Sequence, residues 1–293
     1  MDYKVANLNE EFLTRLYEPM SKLWPNPPPE KLWQIGELPP RPKGSIVVAI
    51  VGSRHCTDYG AALAYNTAKT LAEHGVMVVS GMAYGIDGHA HRGCLDGGGK
   101  TVAVLGTPIT KLYPASNRGL AKEIVAHGGT ILSEFGPGDK TYRDAFRYRN
   151  RIVSGLADAL LIIEAAERSG TISTANFASE QGRSVFVVPG DLYRESSAGA
   201  NRLIMDGASI FMGVDEMMDV IDSGWRSKNK PKEENYTKAQ RTILYALSRG
   251  KASMDCLAEK LKLSIQEICS AISELEMDGV IKSDPIGNWS LVR

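Results

Sequence analysis

Seven short apolar runs occupy the middle of the chain, at residues 46–52, 76–80, 101–106, 129–133, 159–165, 184–190 and 208–212. Unbroken runs of this kind are typical of strands buried on both faces of a parallel sheet. Helical or loop patterns separate them, and the first begins with Thr57-Asp58, a favourable helix N-terminus, and ends near Gly75. This alternation predicts an α/β fold with an open, mostly parallel sheet.

The two ends of the chain follow other patterns. Residues 1–44 contain repeated prolines, which remove backbone donors and hold a chain extended, so we expect a proline-rich arm and not a domain. The core domain is then 45–222, and the polar stretch 223–235 is interpreted as a linker. Residues 236–293 show three short helical patterns and a two-stranded pattern with a Pro-Ile-Gly-Asn turn, which predicts a small winged-helix domain.

Composition narrows the class of protein. The chain has 34 basic and 34 acidic residues, so a local patch must hold any anionic partner. Its four cysteines are far apart and show no CxxC spacing, which indicates reduced thiols and not a zinc knuckle or a disulfide framework. No run of ~18 apolar residues is present and the N-terminus does not resemble a signal peptide, so we expect a cytoplasmic protein without a membrane partner.

Candidate chemistry lies in the loops that follow the strands, because open α/β sheets bind ligands at the carboxyl ends of their strands. After the first run, Gly52 and Ser53 allow a ligand to approach the backbone, and Arg54 supplies a planar cation in front of a helix N-terminus. The alternative is a Gly-Ser turn with an incidental surface arginine.

The stretch VVSGMAYGIDGHAHRG, at 78–93, suggests either a metal or a phosphate site. Asp87 and His91 are four residues apart on the predicted helix, which permits a hydrogen bond between them that fixes the imidazole tautomer. His89 diverges from both by about 200° of rotation, so the three cannot ligate one metal, and no metal is expected. The glycines and backbone amides after Ser80-Gly81 still suit a phosphate.

Two more regions carry positive charge. Lys100 precedes a buried strand, at the end opposite the expected ligand face, which is also consistent with a solvated surface lysine. Asn150 lies within a run of four arginines, Arg143, Arg147, Arg149 and Arg151, which immediately precedes the next strand. The small-residue turn Ser169-Gly170-Thr171 then leads into a helix. The position of the four arginines, directly before a strand of the sheet, favours a role in phosphate binding over that of a merely solvated helix face.

Several enzyme classes are disfavoured. The chain has no GxGxxG with a ribose-binding acid, no GxxxxGK[ST] and no GxSxG. Glu164, Glu167 and Glu180 are acid or base candidates by location alone. We therefore expect no catalytic residues and no cofactor.

Eight strings occur here in the order typical of one family: VGSRHCTDYG, VVSGMAYGIDGHAHRG, GGKTVAVLG, YPASN, SEFGPG, YRNRIVSGLADALLIIEAAERSGTISTANFASEQGR, VFVVPG and GANRLIMDGA. Together they cover most of 45–211, and the chain resembles the DprA/Smf family of DNA-processing proteins. The resemblance implies an extended Rossmann-like fold, with helices on both faces of the sheet, and a C-terminal winged helix. It also implies a homodimer that binds single-stranded DNA without strong sequence preference and loads a RecA-type recombinase, as in natural transformation or DNA recombination.

The resemblance also implies which residues contact DNA. Arg54 and Lys100 match family positions that do so, and further motifs line the same pocket. The complete prediction is Gly52, Ser53, Arg54, Ser80, Gly81, Tyr84, Lys100, Arg149, Asn150, Arg151, Ser169, Gly170, Thr171, Asn201 and Arg202. Tyr84 or Tyr113 can stack on a base, a contact worth ~1–3 kcal/mol.

The chain departs from the family pattern in three ways. Many members have a basic residue at the position of Tyr84, and many carry an N-terminal SAM-like domain where this chain has the arm. The predicted recognition helix is acidic, with Glu267, Glu274, Glu276 and Asp278, so protein interaction or assistance to the dimer is favoured over reading duplex DNA.

The alternative function is that of a nucleotide-binding or nucleotide-hydrolysing Rossmann protein, related to lysine-decarboxylase-like phosphoribohydrolases. Those enzymes carry a PGGxGTxxE motif whose glutamate is catalytic. The corresponding turn here is ERSGTISTA, with a small or neutral residue at the position of that glutamate.

Overall fold

The computed structural model describes residues 2–6, 29–42, 44–142, 144–225, 236–248, 250–261, 263–277, 280–284 and 287–291. The chain divides into two compact units, Met1–Arg226 and Ser227–Arg293. In the described part, no helix has the length and apolar character needed to cross a membrane. Most of the predicted linker and residues 7–28 of the arm lie outside the described residues.

The first unit contains a nine-stranded sheet. Its strands are β1 (Tyr3–Val5), β2 (Trp33–Ile35), β3 (Val47–Gly52), β4 (Met77–Ser80), β5 (Thr101–Leu105), β6 (Thr130–Ser133), β7 (Ala159–Ile163), β8 (Ser184–Val187) and β9 (Ser209–Ile210). Their spatial order is β1-β2-β6-β5-β4-β3-β7-β8-β9. The strands from β3 to β9 are all parallel, which confirms the predicted α/β architecture.

Helices cover both faces of this sheet. They are α1 (Asp58–Glu73), α2 (Ile86–Asp96), α3 (Arg118–Ala126), α4 (Ala145–Gly155), α5 (Gly170–Glu180), α6 (Glu195–Met205) and α7 (Val214–Ile221). Alternate side chains of β3 enter different cores: Val47 packs in one with Ile152 of α4, and Val48 packs in the other with Leu71 of α1. Burial on both faces explains why the strands are apolar throughout and do not alternate.

The helix after β3 begins as predicted. Thr57 has an extended backbone and is the N-cap of α1, and its hydroxyl accepts a hydrogen bond from the amide of Gly60. This bond satisfies one of the amides that a helix leaves unpaired in its first turn. The carboxylate of Glu164 accepts further bonds from the Thr57 amide, at 2.9 Å, and from its hydroxyl. Glu164 therefore has a structural role at this helix start.

The sheet has a topological switch point between β3 and β7. The chain builds outward from β3 through β4, β5 and β6, and then returns to place β7 on the other side of β3. Crossovers that diverge in this way leave a crevice at the carboxyl ends of the two central strands. Gly52 ends β3 so close to β7 that a Cβ at this position would lie 1.8 Å from the carbonyl oxygen of Ile163. Only glycine fits at this end of the crevice.

The arm contributes strands that the sequence pattern did not predict. Strand β1 pairs with β2, and β2 pairs antiparallel with β6 at one edge of the sheet. Further along the arm, Arg41 is buried, donates to the carbonyl of Leu156 and forms an ion pair with Asp158. The described arm residues are therefore integrated into the first unit.

The second unit contains α8 (Lys238–Ser248), β10 (Ala252–Ser253), α9 (Met254–Leu261), α10 (Ile265–Met277), β11 (Ile281–Ser283) and β12 (Asn288–Leu291). Its three strands pair antiparallel in the order β10-β12-β11. Ile243, Leu257 and Ile272 bring the three helices together in one apolar core. Three helices with an antiparallel ribbon confirm the predicted winged helix.

Two acidic residues of α10 have structural roles. Glu267 and Ser264 bond each other's backbone amides, at 2.9 and 3.2 Å, which forms a capping box at the start of the helix. Glu274 accepts a 2.7 Å bond from the side chain of Gln240 on α8. Asp278 lies outside the described residues. The acidic character of this helix therefore reflects capping and packing at two of its positions.

Candidate nucleic-acid interface

A cavity of about 500 Å³ lies at the carboxyl ends of β3, β4 and β7, and we call it the main cavity. Four segments form its wall: the loops after β3 and β4, helix α4, and the turn into α5. Nine of the predicted contact residues line it, namely Gly52, Ser53, Arg54, Gly81, Arg149, Asn150, Ser169, Gly170 and Thr171. The structure thus brings together residues that are about 120 positions apart in the chain because it brings the ends of these strands together.

Arg149 is a buried cation in the wall of the main cavity, with only 5% of its surface exposed. Its Nη1 donates to the carbonyls of Gly81 and Val104, and its Nε donates to Asn150 Oδ1 at 3.2 Å. Within the described residues, its Nη2 forms no hydrogen bond. Burial lowers the pKa of Arg149 to about 10, so the guanidinium is still charged at neutral pH.

Asp87 supplies the opposite charge nearby. Burial raises the pKa of this carboxyl, while the positive charge of Arg149 acts in the opposite direction. Its Oδ2 accepts a 3.2 Å bond from the amide of Ala83. A Cβ on Gly81 would lie 2.6 Å from both Asp87 Oδ2 and Arg149 Nη2. Glycine at position 81 therefore leaves room for the Asp87 carboxylate and the Arg149 guanidinium to lie against the same stretch of backbone.

The predicted hydrogen bond between Asp87 and His91 is wrong. His91 is fully buried, and its Nδ1 lies 2.7 Å from the hydroxyl of Thr101. That hydroxyl donates its own proton to the carbonyl of Val78, at 2.8 Å, so His91 Nδ1 must be the donor toward Thr101. Thr101 fixes the tautomer, and His91 Nε2 is a buried atom without a hydrogen-bond partner in the described part of the chain.

Acid should destabilise the protein through His91. Burial, with a smaller contribution from Arg149, lowers the pKa of His91 from 6.5 to about 3. His91 therefore becomes protonated below pH 6.5 in the unfolded chain but only near pH 3 in the folded chain. Its contribution to stability is fully present above pH 6.5 and is lost progressively as the pH falls below that value. Between pH 6.5 and pH 5 this residue should cost about 2 kcal/mol of unfolding free energy.

Urea denaturation at several pH values checks this expectation. His91→Gln should show a shallower loss of unfolding free energy between pH 6.5 and pH 5 than the wild type. His127→Gln is the matched control, because His127 is exposed. Equal pH dependence in the wild type and His91→Gln would contradict the assignment.

The arginines of the first unit fall into two groups. Many are paired with carboxylates: Arg41 with Asp158, Arg92 with Glu123, Arg151 with Glu134, Arg194 with Asp191, and Arg202 with Asp206. Around the main cavity, Arg54, Arg147, Arg149 and Arg168 form no salt bridge within the described residues. Asp87 is the one acid among the lining residues of the main cavity, which include Arg54, Arg147 and Arg149, so positive charge predominates at this edge of the sheet and attracts anions.

Aromatic rings lie beside these cations. Tyr84 and Tyr113 are each nearly half exposed, and their ring centroids are 6.5 Å apart. Tyr113 also packs on Phe146 at 5.5 Å, and the guanidinium of Arg54 lies over the Phe146 ring at 5.6 Å. The Asn117 side chain donates to the carbonyls of Met82 and Ala83 and so holds the Tyr84 loop. Sequence reasoning missed Phe146, although it lies within the arginine-rich segment.

Two predicted contact residues are buried in structural roles. Arg151 has no exposed surface, binds Glu134 through both terminal nitrogens and stacks over the Tyr148 ring at 3.8 Å. Ser80 is fully buried and donates to the carbonyl of Ile50 at 2.6 Å. Neither side chain lines the main cavity, because the helix or strand turns it toward the interior. We correct both assignments.

Three others lie away from the main cavity. Lys100 is exposed and precedes β5, so it lies at the amino edge of the parallel sheet, opposite the cavity. Asn201 holds the loop after β8 through two 3.0 Å bonds to the backbone of Gly190. Arg202 pairs with Asp206 on its own helix. Arg143 lies outside the described residues.

Fold and cavity define the class: an open α/β protein with a cation-lined crevice at its switch point, joined to a winged-helix unit. The family model described as DNA recombination-mediator protein A matches residues 12–222, and the model of the DprA winged helix domain matches 227–285. The chain belongs to the DNA recombination-mediator protein A family.

Curated relatives agree with this membership. Protein Smf of Synechocystis sp. is 36% identical over 265 residues, which cover 86% of this chain and 66% of the relative. The putative DNA processing protein DprA of Mycobacterium tuberculosis is 36% identical over 276 residues, which cover 90% and 69%. The chain thus spans about two thirds of the length of these relatives.

Two solved structures are similar to about three quarters of the chain. DNA processing protein A of Streptococcus pneumoniae has a TM-score of 0.62 at 32% identity, over 74% of this chain and 73% of the other. That of Helicobacter pylori has a TM-score of 0.63 at 28% identity, over 75% and 96%, and its structure is described for a single-stranded DNA binding mode of that protein.

Proposed function

We propose that this protein binds single-stranded DNA along the edge of the sheet that contains the main cavity. The observation that carries the proposal is the group of four arginines that form no salt bridge within the described residues, together with the exposed rings of Tyr84 and Tyr113 on the Arg54 side of the main cavity. Single-stranded nucleic acid needs both features, since cations bind its backbone and rings stack on its unpaired bases. The single-stranded DNA binding of the Helicobacter pylori relative supports the proposal.

The geometry suggests which side chains bind the phosphates of the strand and which bind its bases. Arg54 and Arg147 are exposed and suit phosphate oxygens, and the first amides of α5 point out of a helix N-terminus beside the same cavity. Tyr84 and Tyr113 suit bases. Stacking accepts every base because each has a π-face, so we expect little dependence on sequence.

The direct test is a titration of a labelled oligonucleotide at several salt concentrations. Each phosphate that the protein neutralises should contribute about −0.7 to the slope of log affinity against log salt. A duplex of the same length is the comparison, and it should bind more weakly because paired bases cannot reach the rings. Failure to bind the single strand at low salt would refute the proposal.

We further propose that the protein acts as a homodimer and hands the strand to a RecA-type recombinase. The exposed side chains of Met205, Ile210 and Met212 lie on or near β9, the last strand of the sheet as far as the structure describes it, and supply an apolar surface for a second copy of the chain. Analytical ultracentrifugation tests the dimer. Recombinase filament formation on single strands coated with a competing binding protein tests the transfer.

The alternative, hydrolysis of a nucleotide, has weaker support. In the turn that leads into α5, the lining residues of the main cavity are Ser169, Gly170 and Thr171, none of which is an acid. Glu164 is engaged at the start of α1. Release of free base from nucleoside monophosphates, lost on changing Glu167 or Glu180, would favour this alternative.

A further inference from the structure

A second cavity, of about 360 Å³, adjoins the main cavity, and we call it the outer cavity. Arg147, Ser169 and Gly170 line both cavities, and Arg168 and Asn176 line the outer one alone. At Gly170, which lines both cavities, a Cβ would meet no atom within 4 Å beyond its chain neighbours and its own helix, so the space beside this residue is open. The two cavities are therefore neighbouring parts of one groove.

We propose that the outer cavity is a second phosphate subsite, which takes a further phosphate of the same strand; this inference rests on the proposed function. Arg147 and Arg168 are both exposed, and neither forms a salt bridge within the described residues. They outnumber the single acid in the lining, Glu167. Two guanidinium groups at the mouth of one small cavity suit a tetrahedral anion, because each presents a fork of donors to its oxygens.

Polar groups at the boundary between the cavities support the same ligand. Ser169 is the N-cap residue of α5, but its hydroxyl makes no cap bond and is a buried atom without a hydrogen-bond partner among the described residues. Asn150 donates to the carbonyl of Gly170 and to the hydroxyl of Ser173, both at 3.2 Å, which holds the first turn of the helix. Asn150 therefore holds the first turn of α5 in place, while the Ser169 hydroxyl beside that turn has no acceptor among the described residues.

The subsite gives the groove a direction. Tyr84 and Tyr113 line a small space that shares Arg54 and Arg149 with the main cavity, on the side formed by the loop after β4. The outer cavity adjoins the main cavity through the turn into α5, which follows β7. A strand in this groove would therefore place stacked bases at one end and closely bound phosphates at the other. The ring end and the arginine end are chemically different, so the strand should bind in one polarity.

The test uses the full chain and oligothymidylates with one neutral methylphosphonate linkage, moved along the strand. For Arg168→Gln we expect about a fivefold loss of affinity for an unmodified strand. We also expect a salt slope smaller by about 0.7. In the wild type, one position of the neutral linkage should cause a similar loss. In Arg168→Gln that loss should disappear, because the contact has already been removed.

Two further variants sharpen the result. Arg168→Lys keeps the charge and should keep the wild-type salt slope. Arg194→Gln is the matched control, because Arg194 is an exposed arginine outside both cavities that is paired with Asp191, and it should bind like the wild type.

The failures are distinguishable. If Arg54→Gln weakens binding while Arg168→Gln retains the affinity, slope and linkage profile of the wild type, the subsite is overturned and the proposed function stands. If the wild type binds no strand at low salt, both are overturned. If the two variants respond to different positions of the neutral linkage, the subsite and the direction of the strand are both supported.

Discussion

Reversal of the charge at Arg54 is expected to weaken the binding of single-stranded DNA by about a hundredfold or more, whereas reversal at Lys100 should leave it unchanged. Arg54 lines the main cavity and has no salt bridge within the described residues. Loss of a hydrogen bond to a charged group costs about 1.5–3 kcal/mol, and a glutamate there adds repulsion of the phosphate. Lys100 lies at the opposite edge of the sheet.

The measurement is a fluorescence anisotropy titration of Arg54→Glu and Lys100→Glu at one fixed, low salt concentration. The two variants change formal charge equally, so an effect of net charge alone would weaken both. Arg54→Gln separates loss of the cation from added repulsion. An unchanged affinity in Arg54→Glu, or an equal loss in Lys100→Glu, would show that the strand does not bind at the carboxyl edge of the sheet.

Replacement of Arg151 with methionine is expected to destabilise the fold by about 3–5 kcal/mol without a direct effect on the groove. Its guanidinium is fully buried and binds both carboxylate oxygens of Glu134, whose side chain is only 18% exposed. Methionine fills most of the volume but leaves that carboxylate without its counter-charge. The cost of leaving this mostly buried carboxylate without a counter-charge greatly exceeds the gain from the apolar side chain.

Urea denaturation and oligonucleotide titration together check this expectation. Arg151→Met should unfold at a lower urea concentration, but its folded fraction should bind the strand like the wild type. Arg151→Met with Glu134→Gln should recover part of the stability, because the buried acid is then neutral. A large loss of affinity in fully folded Arg151→Met would restore this residue to the DNA-contacting group.

The contrast between Arg149 and Arg151 shows what sequence reasoning achieved and where it failed. The sequence predicts that both contact DNA. Side chains two positions apart on a helix point about 200° away from each other, however, so only one of the two can face the cavity. The same geometry predicts that His89 and His91 point in different directions, and in the structure His89 is exposed while His91 is buried. The sequence could not show which arginine faces the cavity, because that depends on the acid at position 134 in another loop.

Lys100 illustrates a different limit. Strand polarity alone places it at the edge of the sheet opposite the main cavity, and the structure agrees. The family resemblance implies that Lys100 contacts DNA, and the Lys100→Glu variant tests that contact. The apolar runs identified all seven parallel strands because burial on both faces leaves a strong pattern. Strands β1 and β2 have three residues each and lie at an edge, so they leave no comparable pattern.

The buried charge of Arg149 bears on the stability of the protein. Desolvation of this guanidinium lowers the stability of the unliganded fold, and an apolar residue at this position would avoid that cost. An arginine at this position makes the unliganded protein less stable, and a bound anionic ligand offsets that loss of stability. Substitutions selected for stability alone would therefore replace Arg149 early, and each such replacement would weaken the binding of the anionic ligand.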